Sequence, residues 1–573
     1  MTLPIPFPRR ALLAALVLGA PLAAHEPGTL SGLVRDPAGR PLAGALVEVG
    51  GAGLSAPLRA LTTTTGAYRF QGLPKGTFQV QVRFPGYFTA QRTISTVHGH
   101  AVTLDLVLHV YSATVEVSGR ADLVHVGDLD APVNHLLGIA DTASQGVVTP
   151  AKLEERAYLR TGEVLETVPG LLISQHSGEG KANQYYLRGF NLDHGTDVST
   201  TVAGLPVNLP THAHGQGYSD LNFLIPELIS NIQYEKGPYF ADEGDFSAAG
   251  AVHLHYLHRL DRPLVQIDLG GGGFRRGLAA GSVRVGGGDL LGAVEGFHND
   301  GPWTRPDDYR RFNGVLRWSW AGTADAVELT AMTYSGRWNS TDQVPERAVA
   351  SGLLDRFGHV DPTDGGSSHR TSFIAAWRHA GDGTLSKVEA YASRYALDLF
   401  SNFTYFLDDP VHGDQFQQAD RRVVTGLRAS QRWSGTLFGL PTDTEVGLQV
   451  RHDAIGTVGI FHTEARQILS TNTLDRVSET TEAIHLQNKL QWSPAVRTVL
   501  GLREDLYQFD VRSDRPENAG QAHASLMSPK ASLILGPWRD TEVYLSFGQG
   551  FHSNDAGAPP SRWTRSPGTP PRR

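Results

Sequence analysis

Apolar and polar residues alternate with a period of two along much of the second half of the chain. The alternation is clear in residues 445–451, 484–492 and 542–547, each of which puts mostly apolar side chains on one face of a strand. A soluble β-sandwich shows this pattern, and so does a membrane β-barrel, whose apolar face meets lipid and whose polar face meets the lumen. Six tryptophans near the predicted strand ends are typical of the aromatic girdles of a barrel: Trp318, Trp320, Trp377, Trp433, Trp492 and Trp538.

Shorter apolar strands separated by turn signals occupy residues 27–110. The turn signals include Thr65-Gly66 and Pro85-Gly86, at the spacing of a small β-sandwich. A second, more specific pattern is carried by Gly32, Val34, Asp36, Gly39, Pro41, Gly66, Tyr68, Phe70, Leu73 and Pro74. This pattern resembles the carboxypeptidase regulatory-like domain, a prealbumin-type sandwich. The resemblance implies an accessory module without catalytic groups of its own.

The first 24 residues have the features of a secretory signal peptide. Arg9 and Arg10 give a positive start, residues 11–20 are apolar, and the small residues Ala23 and Ala24 follow. A membrane anchor is the alternative, but Pro21 ends the apolar run before the roughly 18 residues that a spanning helix needs. We therefore predict export with cleavage near Ala24. Since no later segment predicts a spanning helix, an integral membrane form would have to be a closed barrel.

The amino-acid composition and the absence of known motifs exclude several classes of function. The formal net charge is −8 and only 19 % of the 573 residues are charged, which argues against nucleic acid as a partner. The absence of cysteine excludes thiol nucleophiles, disulfides and thiolate metal centres. No phosphate-binding, zinc-protease or serine-hydrolase motif occurs, and the glycine runs at residues 270–273 and 286–288 are interpreted as hairpin turns. We therefore predict a protein that is not an enzyme and has no cofactor.

Five motifs follow one another in residues 143–258. A predicted short helix is stopped by Pro169-Gly170, and further motifs lie at residues 186–190, 203–208, 229–238 and 248–252. In order and spacing these motifs resemble the plug domain of the TonB-dependent outer-membrane receptors. The resemblance implies an α+β plug inside an antiparallel transmembrane β-barrel, and thus a mainly β protein in the cell outer membrane.

A short extended segment precedes the plug. A linker fits such a segment, and so does a strand that a partner captures by strand addition. The resemblance implies that it is the TonB box, within a connecting stretch at residues 111–142, and that a TonB-type energy-transducing protein in the periplasm is the partner. The residues of this predicted TonB box are Ala113, Thr114, Val115, Glu116, Val117 and Ser118.

The predicted barrel occupies residues 259–555 and is short for the family. This length supplies roughly 14 strands, whereas the resemblance implies about 22. The tail at residues 556–573 contains Pro559, Pro560, Pro570 and Pro571, which cannot pair in a central strand. The sequence therefore predicts an incomplete barrel in a C-terminally truncated receptor.

Histidines and acidic residues occur in two loops that the resemblance places at the substrate-facing apex of the plug. In an extended backbone His212 and His214 would share a face, so both imidazoles would meet one cation, and they are the predicted metal ligands. The alternative is an ordinary solvated polar loop. The predicted substrate-binding residues are Asp193, His194, Asp197, His212, His214 and Tyr218.

Other plug residues are predicted to be structural. Arg188, Glu235 and Lys236 are expected to form an internal polar network, because buried charges need partners. The histidines in residues 253–258 are expected to hydrogen-bond the plug to the barrel. The full structural set is Pro169, Gly170, Arg188, Gly189, Glu235, Lys236 and Gly237.

These observations predict a receptor that takes up a scarce substrate across the outer membrane, with energy supplied through TonB. The apical histidines favour a metal ion or a metal chelate, such as an iron–siderophore. Three alternatives remain at this point: a cobalamin-type or other nutrient receptor, a non-functional fragment, and a secreted binding protein.

Overall fold

The structure is a computed structural model that describes residues 28–35, 40–51, 54, 57–84, 90–96, 101–108, 136–175, 178–538 and 541–556. The predicted signal peptide, the predicted TonB box at residues 113–118 and the tail from residue 557 lie outside these residues. The chain divides into two compact units, Met1–Ser112 and Ala113–Arg573. In the described part of the chain, no helix combines the length and the apolar character needed to cross a membrane.

The first unit is a β-sandwich. Its strands are β1 (Gly28–Arg35), β2 (Leu46–Gly51), β3 (Leu58–Leu61), β4 (Ala67–Leu73), β5 (Gly76–Arg83), β6 (Ala90–Thr96), β7 (Ala101–Thr103) and β8 (Leu106–Val107). In one sheet β1 pairs with β4, β7 and β8, and the other sheet has the order β3-β2-β5-β6. Alternate residues such as Leu30, Val34, Val47 and Val80 are fully buried in its core, as a period-two pattern predicts.

The second unit contains the plug. Its elements are β9 (Gln145–Val148), α1 (Pro150–Glu154), β10 (Leu171–Ser174), β11 (Gln184–Leu187), β12 (Phe190–Asn191), β13 (Val198–Val202), β14 (Leu205–Pro206), β15 (Ile229–Lys236) and β16 (Gly250–Tyr256). Five strands form a sheet in the order β14-β13-β16-β15-β9, and β10, β11 and β12 form a smaller one. The plug is therefore an α+β domain, as predicted.

The predicted short plug helix is present as a 3₁₀ helix, which is more tightly wound than an α-helix. A 3₁₀ helix spans Thr161–Thr167 and a second one spans Pro226–Leu228. Gly170 follows with a φ of +82°, a conformation that suits glycine, and β10 begins at the next residue. The Pro-Gly pair thus turns the chain directly into a strand.

The rest of the second unit is an antiparallel sheet of thirteen strands, called the wall below. The strands are β17 (Leu264–Leu269), β18 (Arg275–Val285), β19 (Gly288–Asn299), β20 (Tyr309–Ala321), β21 (Asp325–Asn339), β22 (Gly365–Gly381), β23 (Thr384–Ser401), β24 (Phe416–Leu437), β25 (Leu440–Glu464), β26 (Gln467–Ser493), β27 (Val496–Ser513), β28 (Gly520–Trp538) and β29 (Thr541–Gly548). Each strand pairs with its neighbours in chain order, and β17 does not pair with β29. Among the described residues the wall is therefore not closed, and its thirteen strands compare with the roughly 14 predicted.

The two ends of the wall differ in the length of their connections. At one end, the short-turn end, strands are joined by turns such as residues 286–287 and 438–439. At the other end, the long-loop end, connections include residues 340–364, which contain α2 (Glu346–Ala350), and residues 402–415. All six tryptophans of the predicted girdles lie in the last part of strands that run towards the short-turn end, so they form one belt, as at a membrane interface.

The wall carries its apolar side chains outwards and many of its charged ones inwards. On β17 the exposed fractions of Val265, Ile267 and Leu269 are 75 %, 73 % and 76 %. On the face towards the plug, Asp420 and Arg422 are fully buried and paired. A soluble sandwich would bury the apolar face instead, so the arrangement is that of a lipid-facing wall around a plug, and the predicted fold class is confirmed.

A histidine cluster at the plug apex

The apex loop, residues 209–218, connects β14 to the rest of the plug. A bridge between Leu209 and Tyr218 closes its base. The backbone between them follows turns rather than a strand. The loop docks on β24 of the wall, where the Nε2 atom of Gln418 donates to the Ala213 carbonyl oxygen at 3.0 Å, and where Arg422 donates to the Thr211 carbonyl oxygen. The apex loop is therefore held at two points by one wall strand.

The structure brings His194 and His214 together, with their Nε2 atoms 3.1 Å apart. The Nδ1 atom of His194 lies 3.0 Å from the Ala182 carbonyl oxygen, so it must donate. The Nδ1 atom of His214 lies 2.8 Å from the Oε1 atom of Gln418. Because the Gln418 amide nitrogen is committed to the Ala213 carbonyl, that Oε1 atom accepts and His214 donates to it. In the neutral rings, both Nε2 atoms therefore present lone pairs to each other.

Two facing lone pairs repel unless a cation lies between them. That cation is either a proton, which makes one ring an imidazolium, or a metal ion. Burial lowers the pKa of His194 below its usual range, although Asp193 opposes the shift, and a neutral imidazole is the form that binds metal. The geometry thus leaves two nitrogen lone pairs, 3.1 Å apart, that a shared proton or a metal ion would bridge.

His212 occupies a different position from the one predicted. Its side chain is completely buried, and its Nδ1 atom accepts the backbone N–H of His214 at 3.1 Å. Burial and the nearby Arg422 guanidinium hold its pKa well below the usual value. Because the local hydrogen bond turns the two rings apart, the structure pairs His214 with His194 and not with His212, the partner that the sequence pattern suggested.

Tyr218 lies under the cluster and supports it. Its ring stacks on His212 at a centroid distance of 4.2 Å, and it contacts the rings of His194 and His214 as well. It is fully buried, and its hydroxyl oxygen accepts the Ala182 N–H at 2.9 Å. Tyr218 therefore positions the histidine rings and offers no exposed group to a substrate.

The two predicted acidic residues are separated in the structure. Asp193 is exposed over 58 % of its side chain, and its Oδ1 atom lies 3.7 Å from the Nε2 atom of His194. Asp197 instead pairs with His552, which follows β29, at 2.7 Å. Asp193 therefore belongs to the histidine site, whereas Asp197 ties the plug to the end of the described wall.

The residues predicted to be structural meet around the Pro169-Gly170 turn. The backbone N–H of Arg188 donates to Gly170 at 2.8 Å, and the Nζ atom of Lys236 donates to the Pro169 carbonyl oxygen at 3.0 Å. The Arg188 side chain is exposed, so the expectation that it lies in a buried network is wrong. Gly189 and Gly237 both adopt positive φ angles in adjacent turns.

Two further residues, Glu235 and His253, belong to a partly buried polar cluster that also contains Glu243. Glu235 accepts from Gln145 at 2.8 Å. His253 lies 3.2 Å from Glu243. Burial is the largest single influence on its pKa and lowers it, but Glu243 and Asp242 together outweigh burial and raise the pKa above its usual value. His258 reaches Ser319 of the wall at 3.3 Å, which is the plug-to-wall hydrogen bond that the sequence predicted.

Sequence reasoning missed one member of the histidine site. Gln418 lies 204 residues after His214 in the chain, on a wall strand. Its amide fixes the ring orientation of His214 and the position of the apex loop at the same time. No local pattern marks it, because its role comes only from the docking of plug and wall.

Family models match three parts of the chain in order. Residues 29–109 match the carboxypeptidase regulatory-like domain, residues 139–251 match the TonB-dependent receptor plug domain, and residues 290–571 match the TonB-dependent receptor-like β-barrel. The plug and barrel matches together cover most of the second unit.

Solved structures of similar fold are receptors and transporters of the same kind. The ferric citrate transporter FecA in its unliganded form is 12 % identical, with a TM-score of 0.61, 73 % of this chain covered and 64 % of FecA. The ferric-catecholate import receptor Fiu from E. coli K12 is 13 % identical (TM-score 0.56, coverage 72 % and 70 %), and the copper transporter OprC is 15 % identical (TM-score 0.54, coverage 73 % and 64 %). This chain thus spans about two thirds of the length of these proteins. Taken with the plug and barrel matches, these findings show that the chain belongs to the TonB-dependent receptor family, a family of receptors and transporters rather than of enzymes.

Proposed function

We propose that this protein is an outer-membrane receptor that takes up a metal ion or a labile metal chelate, with energy supplied by a TonB-type protein. The observation that carries the proposal is the pair of Nε2 atoms of His194 and His214, 3.1 Å apart, in the apex of the plug. In outer-membrane barrels the longer loops face outwards and the short turns face the periplasm. The histidine pair would then face the side from which substrate arrives.

The distance between the two nitrogens suits a shared metal ion. With metal–nitrogen bonds of about 2.0–2.1 Å, a separation of this size corresponds to an N–metal–N angle of about 100°. Imidazole nitrogen is a good ligand for copper, zinc, iron and nickel. Asp193 has a carboxylate oxygen 3.7 Å from the same His194 nitrogen, so it is the nearest candidate for a third ligand.

Two protein nitrogens leave most of the coordination shell to the substrate itself. Such a site binds an ion that keeps water or chelator ligands, and it releases that ion more easily than a closed four-ligand site. Reversible binding is what a transporter requires. The printed names of the structural neighbours include transporters of ferric citrate and of copper, which supports a metal substrate for this chain.

Binding at this pair would be coupled to the wall. His214 is held by Gln418, and the same glutamine holds the apex loop through Ala213. A metal ion that moves the His214 ring therefore strains the contact between plug and wall. We infer that this strain shifts the plug towards a state in which residues 113–118 are captured by TonB as an added strand.

The test uses the full chain in detergent and in cells. We expect the double variant His194→Ala/His214→Ala to bind one Cu²⁺ ion fewer per chain than the wild type, because it removes both nitrogens of the apical site. The matched control is His379→Ala/His412→Ala. His379 lies in β22 and His412 in the connection between β23 and β24; their side chains are 40 % and 48 % exposed, and each faces a carboxylate. Deletion of residues 113–118 should abolish uptake and leave Cu²⁺ and Zn²⁺ binding unchanged.

An equal number of bound Cu²⁺ ions per chain in the apical double variant and in the control would refute the apical metal site. In that case the receptor would take up another class of nutrient. Uptake that survives deletion of residues 113–118 would refute the assignment of the TonB box.

A further inference from the structure

A second cluster of possible metal ligands, made of other residues than the apical histidines, lies at the long-loop end of the wall. It consists of His298 in β19, and of Asp300 and Asp308 in the connection between β19 and β20. The Nε2 atom of His298 lies 3.2 Å from the Oδ1 atom of Asp308 and 3.4 Å from the Oδ1 atom of Asp300. One ligand atom from each of the three residues lies within 4.8 Å of the others. The cluster is partly exposed, with 19 %, 34 % and 38 % of the three side chains accessible.

The orientation of His298 is fixed from the other side of its ring. Its Nδ1 atom lies 2.8 Å from the carbonyl oxygen of Gly273, in the turn between β17 and β18, and it must donate to that oxygen. The Nε2 atom therefore faces the two carboxylates. A histidine that donates one ring N–H to a backbone carbonyl while the other nitrogen faces anionic oxygens has the arrangement usual for a metal ligand.

The glycine run at residues 270–273 builds this arrangement. Gly272 and Gly273 have φ angles of +63° and +68°, which glycine adopts without strain. The Gly272 carbonyl accepts the Asp300 N–H at 2.7 Å. A Cβ atom on Gly273 would lie 2.1 Å from a carboxylate oxygen of Asp300, so only glycine lets this carboxylate approach the turn. The turn thus positions both His298 and Asp300.

We propose that His298, Asp300 and Asp308 bind a divalent transition-metal ion that braces the β17–β18 turn against the β19–β20 connection. With metal–ligand bonds of about 2.0–2.2 Å, the two distances from His298 correspond to angles of about 100–110° at the metal, near tetrahedral. One nitrogen and two carboxylate oxygens suit Zn²⁺ and similar ions. They do not suit Ca²⁺, which takes about six to eight oxygens. The remaining position faces solvent.

The competing arrangement has no metal. In it His298 is an imidazolium that forms ion pairs with both carboxylates, and Arg310, whose Nε atom lies 2.8 Å from the Oδ1 atom of Asp308, adds a second cation. This arrangement needs a proton on the ring. The two arrangements differ in a measurable way, because only one of them takes up zinc in stoichiometric amount.

The experiment uses Zn²⁺ as the probe and the variant His194→Ala/His214→Ala as the background, so that the apical pair does not contribute. We expect one Zn²⁺ per chain after dialysis, measured by elemental analysis, and an affinity that can be followed by titration calorimetry. His298→Ala should lower this affinity ~100-fold or more, and Asp300→Asn about 10- to 100-fold. The matched control is His379→Ala, since His379 faces a single carboxylate, that of Asp325, at 2.9 Å.

A variant of the turn tests positioning without removing a ligand. Gly273→Ala should weaken Zn²⁺ binding about 10-fold or more, because the added methyl group displaces the Asp300 carboxylate. Absence of bound Zn²⁺ in the background protein, or an affinity unchanged by both His298→Ala and Asp300→Asn, would overturn the proposal. Either result would leave the apical site untouched, because that site is tested in a separate pair of variants.

Discussion

The buried imidazole of His212 should make the stability of the plug depend on pH. The ring is completely buried, and burial together with Arg422 keeps it neutral in the folded protein at pH values where an exposed histidine is protonated. In the unfolded chain its pKa is about 6.5. As the pH falls below that value, the unfolded state binds a proton that the folded state does not bind. The free energy of unfolding therefore falls with falling pH.

The size of the effect follows from the gap between the pH and the unfolded pKa. At pH 5 the gap is about 1.5 units, so a His212 that stays neutral costs about 2 kcal/mol of stability relative to pH 8. His212→Asn removes the titration and keeps an oxygen that can accept the His214 N–H. The variant loses the stacking on Tyr218 and should be less stable at pH 8, but its loss between pH 8 and pH 5 should be smaller by about 2 kcal/mol.

The assay is urea unfolding of the purified protein in detergent at the two pH values. Because the chain contains no cysteine, Phe190→Cys provides a single labelling site for a fluorophore on the exposed face of the plug. His379→Asn, at the short-turn end of the wall, serves as the control for replacing an exposed histidine. If the wild type and His212→Asn lose the same stability between pH 8 and pH 5, then His212 is protonated in the folded plug and the reasoning from its burial fails.

Two further predictions use the same unfolding assay. Tyr218→Phe should destabilise the plug by about 1–3 kcal/mol, because the buried N–H of Ala182 loses its acceptor; a change near zero would mean that water replaces the hydroxyl. Lys489→Met should cost about 3–5 kcal/mol, because it removes the ammonium group that lies 2.8 Å from the buried carboxylate of Asp141. Adding Asp141→Asn to that variant should recover part of the loss, and a further loss instead would contradict a pairwise ion contact.

The strands of the wall could be predicted from the sequence because the alternation of apolar and polar residues lies within each strand. Residues 445–451 lie inside β25, and Val446 and Leu448 on their apolar face are 36 % and 45 % exposed, as a lipid-facing strand requires. The length of β25, 25 residues, could not be predicted. Hydrogen bonds to β24 and β26 carry the strand past the end of the alternating pattern, and such pairing depends on the neighbours rather than on the segment itself.

The sequence predicted that His194 and His214 lie in the same apex but not that they pair with each other. It paired His214 with His212 instead, because it assumed an extended backbone between those two residues. The rule that residues two apart share a face holds for an extended strand, but the apex loop turns between His212 and His214, and the N–H of the second bonds the ring of the first. His194 was expected in the same apex from its place after a plug strand. Its pairing with His214 depends on the tautomer of each ring, which carbonyl oxygens from distant segments determine.

In both proposed metal sites, the acceptor of the Nδ1 hydrogen determines which ring nitrogen faces the metal. At the apex, the Ala182 carbonyl and the amide of Gln418 take up the Nδ1 hydrogens of the two histidines; at the long-loop end, the Gly273 carbonyl does so for His298. In each case an oxygen from another segment of the chain turns the Nε2 atom towards a second ligand. Sequence spacing can place histidines near one another, but only these long-range acceptors decide which nitrogen is presented. A search for metal sites in related plugs and walls should therefore begin from the acceptor of Nδ1 and only then consider the spacing of the histidines.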